Sequence, residues 1–186
     1  MAKRVSKDDF PVWRARKYLE TGPIVLVASH WRGRDNVMTL GWHMVMEFSP
    51  SLIALMISAG NHSHHMIRSA RECVVNLPTT VLTDAVVGCG NTTGAEIDKF
   101  ARFGLTREPA QTVAAPLIGE AHAAFECRLH DDRLVDDYNV FIFEVTKAHV
   151  ASEPEHPKTL HYTGDGVFRV AGRVIDRKAG FRPGML

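Results

Sequence analysis

Three small polar clusters, each set at the end of an apolar run, hold the residues of this chain that can do chemistry. The first is Asn36-Val37-Met38-Thr39, which runs on into Leu40-Gly41-Trp42-His43. The second is Ser58-Ala59-Gly60-Asn61-His62-Ser63, and the third joins Asn91 and Thr92 to Asp98-Lys99-Phe100. Hydroxyls, amides and small residues at strand ends are what a rigid apolar scaffold offers to a bound ligand. The Ser58 to Ser63 stretch opens a helical segment, and the free N–H groups of a helix start favour an anion, so this loop reads as a phosphate cradle. Lys99 has two readings, a cation that neutralises a phosphate or one half of a surface ion pair with Asp98 or Glu96. Asn36 and Thr39 stand three apart. In an extended segment they face opposite ways, and only a turn or bulge brings both to one ligand.

Other chemistries lack their parts. Neither GxxxxGK[ST] nor GxGxxG occurs, which disfavours a nucleoside triphosphatase or a Rossmann dehydrogenase. There is no Gly-x-Ser-x-Gly and no cysteine with an obvious base, so no residue is assigned a catalytic role. His62, His64 and His65 invite a metal, but adjacent histidines diverge on a helix or a strand and no acidic residue stands among them at ligand spacing. No metal is expected. Cys73, Cys89 and Cys127 are odd in number and form no CxxC pair, which reads as buried thiols. A formal net charge of +1 gives no field that would draw nucleic acid or an anionic membrane. The basic residues near the start, Lys3 to Lys17, are interrupted by Asp8 and Asp9 and read as a solvated face. No apolar run reaches the roughly 18 residues of a membrane span, and the N-terminus lacks a signal-peptide core, so a cytoplasmic protein is expected.

The elements that must position these clusters are mostly strands. Gly22-Pro23 ends a short N-terminal helical stretch, Ile24 to Ser29 is β-branched and extended, and a turn through Arg32, Gly33, Arg34 and Asp35 leads to the extended Asn36 to Thr39. Ser51 to Ser58 is a nearly continuous apolar run, the pattern of a central strand buried on both sides. His64 to Ala70 is helical with Ser63 as its cap, Glu72 to Leu77 is a strand, Thr80 to Cys89 is a helix, and Ile97 to Phe103 is a short helix stopped by Gly104. Ala121 to Leu134 and Tyr138 to Val150 form an antiparallel hairpin around a charged turn. The 186 residues give one domain, 1–186, with its core at about residues 20–175. The fold class is mainly β with inserted helices, a closed β-barrel with helical excursions.

Taken in order, Pro23 to Ser29, Asn36 to His43, Pro50-Ser51-Leu52, the Ser58 to Ser63 loop, Glu72 to Pro78, Asp98-Lys99-Phe100 and Phe125-Glu126-Cys127 resemble the flavin reductase-like, FMN-binding split-barrel family of flavoredoxin type. The resemblance implies a six-stranded Greek-key split β-barrel that pairs as a homodimer and binds FMN non-covalently near the subunit interface. It implies that Asn36, Val37, Met38 and Thr39 contact the isoalloxazine and ribityl side. Ser58, Ala59, Gly60, Asn61, His62 and Ser63 would take the ribityl and phosphate, and Asn91, Thr92 and Lys99 the phosphate end. The implied activity is hydride transfer from NADH or NADPH to FMN, with electrons passing to an acceptor or redox partner protein. The alternative is a non-catalytic FMN-binding electron-transfer protein with the same pocket and no nicotinamide site. In either case the cofactor carries the chemistry, which agrees with the missing acid–base dyad.

Overall fold

The computed structural model describes residues 22–182, so the helical stretch expected before Gly22 and its basic face lie outside the described residues. In chain order the first strands are β1 (Val25–Trp31), β2 (Arg34–Leu40), β3 (His43–Glu47) and β4 (Leu52–Met56). Helix α1 (His62–Ala70), β5 (Glu72–Leu77), α2 (Thr83–Gly90) and α3 (Lys99–Arg102) follow. The second half has the short β6 (Arg107–Glu108) and β7 (Leu117–Ile118), then β8 (Ala123–Asp131), α4 (Val135–Tyr138), β9 (Val140–Val150), β10 (Leu160–Tyr162) and β11 (Phe168–Val170). No helix among the described residues is long and apolar enough to cross a membrane.

Seven strands form one antiparallel sheet in the order β2-β1-β5-β8-β9-β4-β3, one strand more than the expected six. Its two edge strands, β2 and β3, are consecutive in the chain and joined only by Gly41 and Trp42. A sheet whose edges are tied by so short a link has to curl. The side chains record the closure: Val25 and Val27 of β1 share one buried cluster with Leu55 of β4, Phe141 and Phe143 of β9 and Cys127 of β8. That cluster is the barrel interior. Alternation sends Leu26 and Ala28 to the other face of β1, where they meet Val86 and Cys89 of α2, Phe100 of α3 and Leu160 of β10.

The β1–β2 hairpin turns at Arg32 and Gly33 alone, both with positive φ (50° and 74°), the two-residue geometry that matches strand twist. Arg34 and Asp35, expected in the turn, already belong to β2. The apolar run Ser51 to Ser58 gives β4, but β4 is next to the edge and β8 is the central strand. The run is apolar on both faces for another reason. Leu55 enters the barrel, whereas Ala54 and Met56 border an apolar hollow of about 300 Å3 beside Trp42 and Met44. All three cysteines are buried and free.

Two buried polar groups fasten the 105–118 segment across the outer face. The Asn76 side chain accepts from the Ile118 N–H at 3.0 Å. The Glu126 carboxylate, with no exposed side-chain surface, accepts from the N–H groups of Gln111 and Thr112, from Thr112 Oγ1 at 2.6 Å, and meets His149 Nε2 at 2.7 Å. Burial alone would raise this carboxyl, but the bonds from Thr112, Gln111 and His149 outweigh it and hold its pKa at about 2. A depressed carboxylate contributes stability that is complete above the ordinary value of 4.5 and drains as pH falls toward about 2. Glu126→Gln is expected to lower unfolding free energy at pH 7 by about 1–3 kcal/mol. It should also flatten the loss of stability below pH 4.5, as read by urea denaturation across pH. Parallel wild-type and variant curves would refute this role.

Candidate functional site

The link between the sheet edges is where the cavity forms. The Trp42 carbonyl accepts from the Met56 N–H at 3.0 Å, which ties the link to the end of β4. Around it lies a cavity of about 630 Å3. Met38 to Trp42 form one side of the lining, and Met56, Ser58 and Asn61 come from β4 and the loop after it. Val86, Val87, Gly90 and Asn91 come from α2 and its end, and Tyr162, Gly166 and Phe168 from the β10–β11 hairpin. None of the lining side chains is charged. The volume falls within the range of sites that enclose a small molecule or cofactor.

Past Gly90 and Asn91 the cleft continues into a recess of about 400 Å3 over Thr92, Thr93 and Glu96, and then into a charged one of about 320 Å3 bordered by Arg34, Asp35, His62, Asp98 and Arg107. In the charged recess Arg107 is already committed. Its Nε lies 2.9 Å from Asp35 Oδ2 and its Nη2 2.7 Å from Asp98 Oδ1, with the guanidinium 4.3 Å from the Phe100 ring centre. It is a strut between β2 and the start of α3, not an anion receptor. The anion-favouring feature is the start of α1. Asn61 sits at its N-cap without a side-chain cap bond, and no acidic residue occupies the first turn, so the N–H groups of His62 and Ser63 stay available, while that of His64 donates to the Asn61 carbonyl at 3.0 Å. Asn61 borders the large cavity and His62 the charged recess, which puts this helix start between the two.

The residues expected at the site separate into two groups. Met38, Thr39, Ser58, Asn61 and Asn91 line the large cavity, Thr92 lines the next recess, and His62 the last. The others do not line these recesses, and of them Asn36, Val37, Ser63 and Lys99 are buried. Val37 is fully buried in the outer core, so only its backbone can face a ligand. β2 runs through the cluster without a bend, and Asn36 and Thr39 diverge: Asn36 Nδ2 donates to Ser63 Oγ at 2.8 Å, while Thr39 Oγ1 donates to the Val86 carbonyl at 2.6 Å. Ser63 therefore lies inside α1 as a partner of Asn36 and does not cap the helix. Ala59 donates its N–H to Asn139 Oδ1 at 3.0 Å, and a Cβ on Gly60 would stand 3.9 Å from Ser58 Oγ.

Lys99 is the largest departure from the sequence reading. It is 4% exposed, so the surface ion pair falls, and Asp98 is taken by Arg107. Its Nζ donates to the Cys89 carbonyl at 2.8 Å, and no carboxylate among the described residues pairs with it. Burial lowers its pKa, and burial lifts the Cys89 thiol to about 11 against the pull of the ammonium. A buried cation thus stands just beneath Gly90 and Asn91.

Asn139 and Gly94 escaped the sequence reading. Asn139 adopts φ 58°, and its carbonyl and side chain take the N–H groups of Ile57 and Ala59, which fixes the Ser58 loop to the start of the neighbouring strand β9. Asparagine tolerates that backbone region, the one local signal that was available. Gly94 abuts Asn36: a Cβ there would stand 2.0 Å from Asn36 Oδ1.

The sequence profile of the flavin reductase like domain matches residues 18–171. The chain belongs to the flavin reductase-like family. An uncharacterized protein of Archaeoglobus fulgidus is 32% identical over 112 residues, a match that spans 60% of this chain and 63% of that protein, just under two thirds of its length. Among solved structures, an FMN-binding domain of a flavin reductase-like enzyme from Shewanella baltica superposes with a TM-score of 0.77 at 22% identity, covering 88% of this chain and 94% of that one. Flavoredoxin of Desulfovibrio vulgaris gives 0.77 at 21% identity, covering 95% and 97%. These likenesses establish the split-barrel fold for this flavin reductase-like chain.

In this family member the contact between Asn36 and Gly94 predicts a specific coupling. Asn36→Ala and Gly94→Ala should each destabilise by about 1–3 kcal/mol, one by losing a buried hydrogen bond and the other by overpacking. The double variant should cost at least about 1 kcal/mol less than their sum, because removal of the amide makes room for the methyl. Urea denaturation of the four proteins measures this, and additive costs would show that the two positions do not touch.

Proposed function

We propose that this chain binds FMN non-covalently in the cavity at the barrel seam and acts as an NAD(P)H-dependent oxidoreductase of the flavin reductase type. The observation that carries the reading is the gradient along the cleft: an uncharged, largely apolar cavity of about 630 Å3 that runs toward an uncapped helix start and a buried lysine. A molecule planar and apolar at one end and anionic at the other suits it. When bound, FMN would supply the redox chemistry, taking hydride from a nicotinamide and releasing electrons to an acceptor.

The chain's own residues bind and orient. Met38, Leu40 and Val86 form apolar walls, and Val37 holds β2 to the outer core. The groups placed to hydrogen-bond a polyol and phosphate are Ser58, Asn61, Asn91 and Thr92, together with the backbone N–H groups of Gly60, His62 and Ser63. Asn36 sets the height of α1 through Ser63. Lys99 adds its charge from beneath Gly90 and Asn91. The histidines are occupied or displaced: His43 Nε2 lies 2.7 Å from the Pro23 carbonyl. His64 is buried edge-on against Phe141, its pKa lowered by burial and by Arg68. Hydride transfer asks for positioning and needs no relay from them.

The protein should purify yellow with about one FMN per chain, bind FMN more tightly than FAD, and show flavin reduction in stopped flow with NADH or NADPH. Single alanine substitutions at His43, His62, His64 and His65 should leave the rate within about 10³-fold once FMN is saturating, the span of a lost catalytic group. His62 should show the largest loss of FMN affinity. A colourless protein that takes up no FMN refutes the reading, and a yellow protein that neither nucleotide reduces is an electron carrier instead.

We also propose a homodimer. The apolar tract Val140 to Val145, which in the sequence alone reads as a patch that would invite association, is internal, because β9 lies between β8 and β4 and buries Phe141 and Phe143. A run of exposed apolar side chains lies on edge strand β3 and its flanks, where Val45 is 69% and Phe48 91% exposed and Trp42, Met44 and Met46 join them. Light scattering should return twice the chain mass, and Met44→Glu with Phe48→Glu should return the single mass. A wild-type monomer would refute the pairing.

A further inference from the structure

The wall of the cavity formed by residues 160–170 carries none of the motif pieces on which the family resemblance rests, and it is built apart from the barrel. β10 and β11 form their own two-stranded sheet, with Tyr162 directly opposite Phe168. The hairpin base is fixed: the Ile24 N–H donates to the Leu160 carbonyl at 2.7 Å, and Leu160 is buried in the outer core. Its tip turns through Gly164, Asp165 and Gly166, all with positive φ. The rings of Tyr162 and Phe168 lie 5.2 Å apart at 54°, and the Gly166 N–H donates to the Tyr162 hydroxyl at 3.1 Å. That bond uses a lone pair and leaves the hydroxyl proton free to be donated.

The two sides of the cavity therefore differ in chemistry. The loop after β4, the start of α1 and the end of α2 offer amides, hydroxyls and an anion-favouring helix start. The hairpin offers two aromatic side chains and one hydroxyl. We propose that the hairpin is the subsite for the nicotinamide ring of the hydride donor, with Tyr162 and Phe168 as its aromatic wall and the Tyr162 hydroxyl donating to the carboxamide oxygen. This rests on the FMN-binding reading above and extends it to the donor. With FMN bound as the acceptor, the donor's C–H bond would break, its hydrogen and electron pair would pass to the flavin, and the nicotinamide ring would become cationic. Aromatic faces attract a cation, and no charged side chain lines the cavity to repel it, so this wall holds the ring more strongly as the charge develops.

The probe is oxidised nicotinamide mononucleotide, which has the ring and carboxamide without the adenosine. It is titrated calorimetrically into the FMN-loaded protein, after the FMN affinity of each apoprotein has been measured by flavin fluorescence quenching. Tyr162→Phe removes only the hydroxyl, and Phe168→Leu keeps an apolar side chain over the core while removing the ring. Each variant should weaken mononucleotide binding about three- to ten-fold, the scale of one hydrogen bond or one aromatic contact, with FMN affinity within about two-fold of wild type. Unchanged mononucleotide affinity in both variants overturns the proposal. So does a fall in FMN affinity with mononucleotide binding to the loaded protein intact, which would place the wall against the flavin. Failure of the wild type to take up FMN is seen in the first titration and refutes the underlying reading instead.

Discussion

Closure of a seven-stranded sheet by a two-residue link is the constraint from which the rest of this structure follows. β2 and β3 are the two free edges, and Gly41 with Trp42 brings them together without a hydrogen-bonded ladder between them. An unpaired seam in a barrel is a place where strand ends, loops and helices can supply the wall instead. Here α2, the loop after β4 and the aromatic hairpin do so. The glycine of the link lines the cavity beside a tryptophan that stays partly exposed, so the same two residues close the barrel and open the site.

Buried polar side chains determine how the parts around the seam are spaced. Asn36 fastens β2 to α1, Thr39 fastens it to α2, and Asn139 fastens the Ser58 loop to the far end of the β8–β9 unit. Lys99 ties α3 to the end of α2. The Asn36 and Lys99 bonds are buried, in a region of low dielectric where leaving a partner unpaired is expensive. The arrangement sets the height of the helix start and of the Asn91 turn relative to the strand floor. That is a different task from touching a ligand, and several polar residues near the site perform it exclusively.

The sequence disclosed the strands well because their β-branched, two-sided apolar runs have few other outcomes: Glu72–Leu77 is β5 to the residue. It also disclosed that Ser58 to Ser63 opens a helix and that Asn91 belongs near the same place. It did not separate residues that line the cavity from those behind it. The period of two in β2 foretold that Asn36 and Thr39 diverge, yet which of them meets the ligand depends on where α1 and α2 dock. Lys99 shows the limit of local reasoning. Beside Asp98 in sequence it looks like a surface pair, but Arg107, placed by tertiary structure, takes the carboxylate, and Lys99 is buried with its ammonium on the Cys89 carbonyl. Asn139 gave only a faint signal, since its partners Ile57 and Ala59 are remote in the chain.

That remoteness bears on how the protein is made. The bond from Ala59 to Asn139 spans 80 residues, and the β4–β9 ladder spans a similar distance. A chain emerging from the ribosome completes the cradle loop long before the strand that immobilises it exists. Until β9 docks, the loop's N–H groups face water and the helix start has no fixed neighbour. Contacts of such separation form late and slowly. A ligand held by this cradle therefore cannot guide the early collapse; it finds its place only in the finished barrel, and then raises the barrier to opening it again.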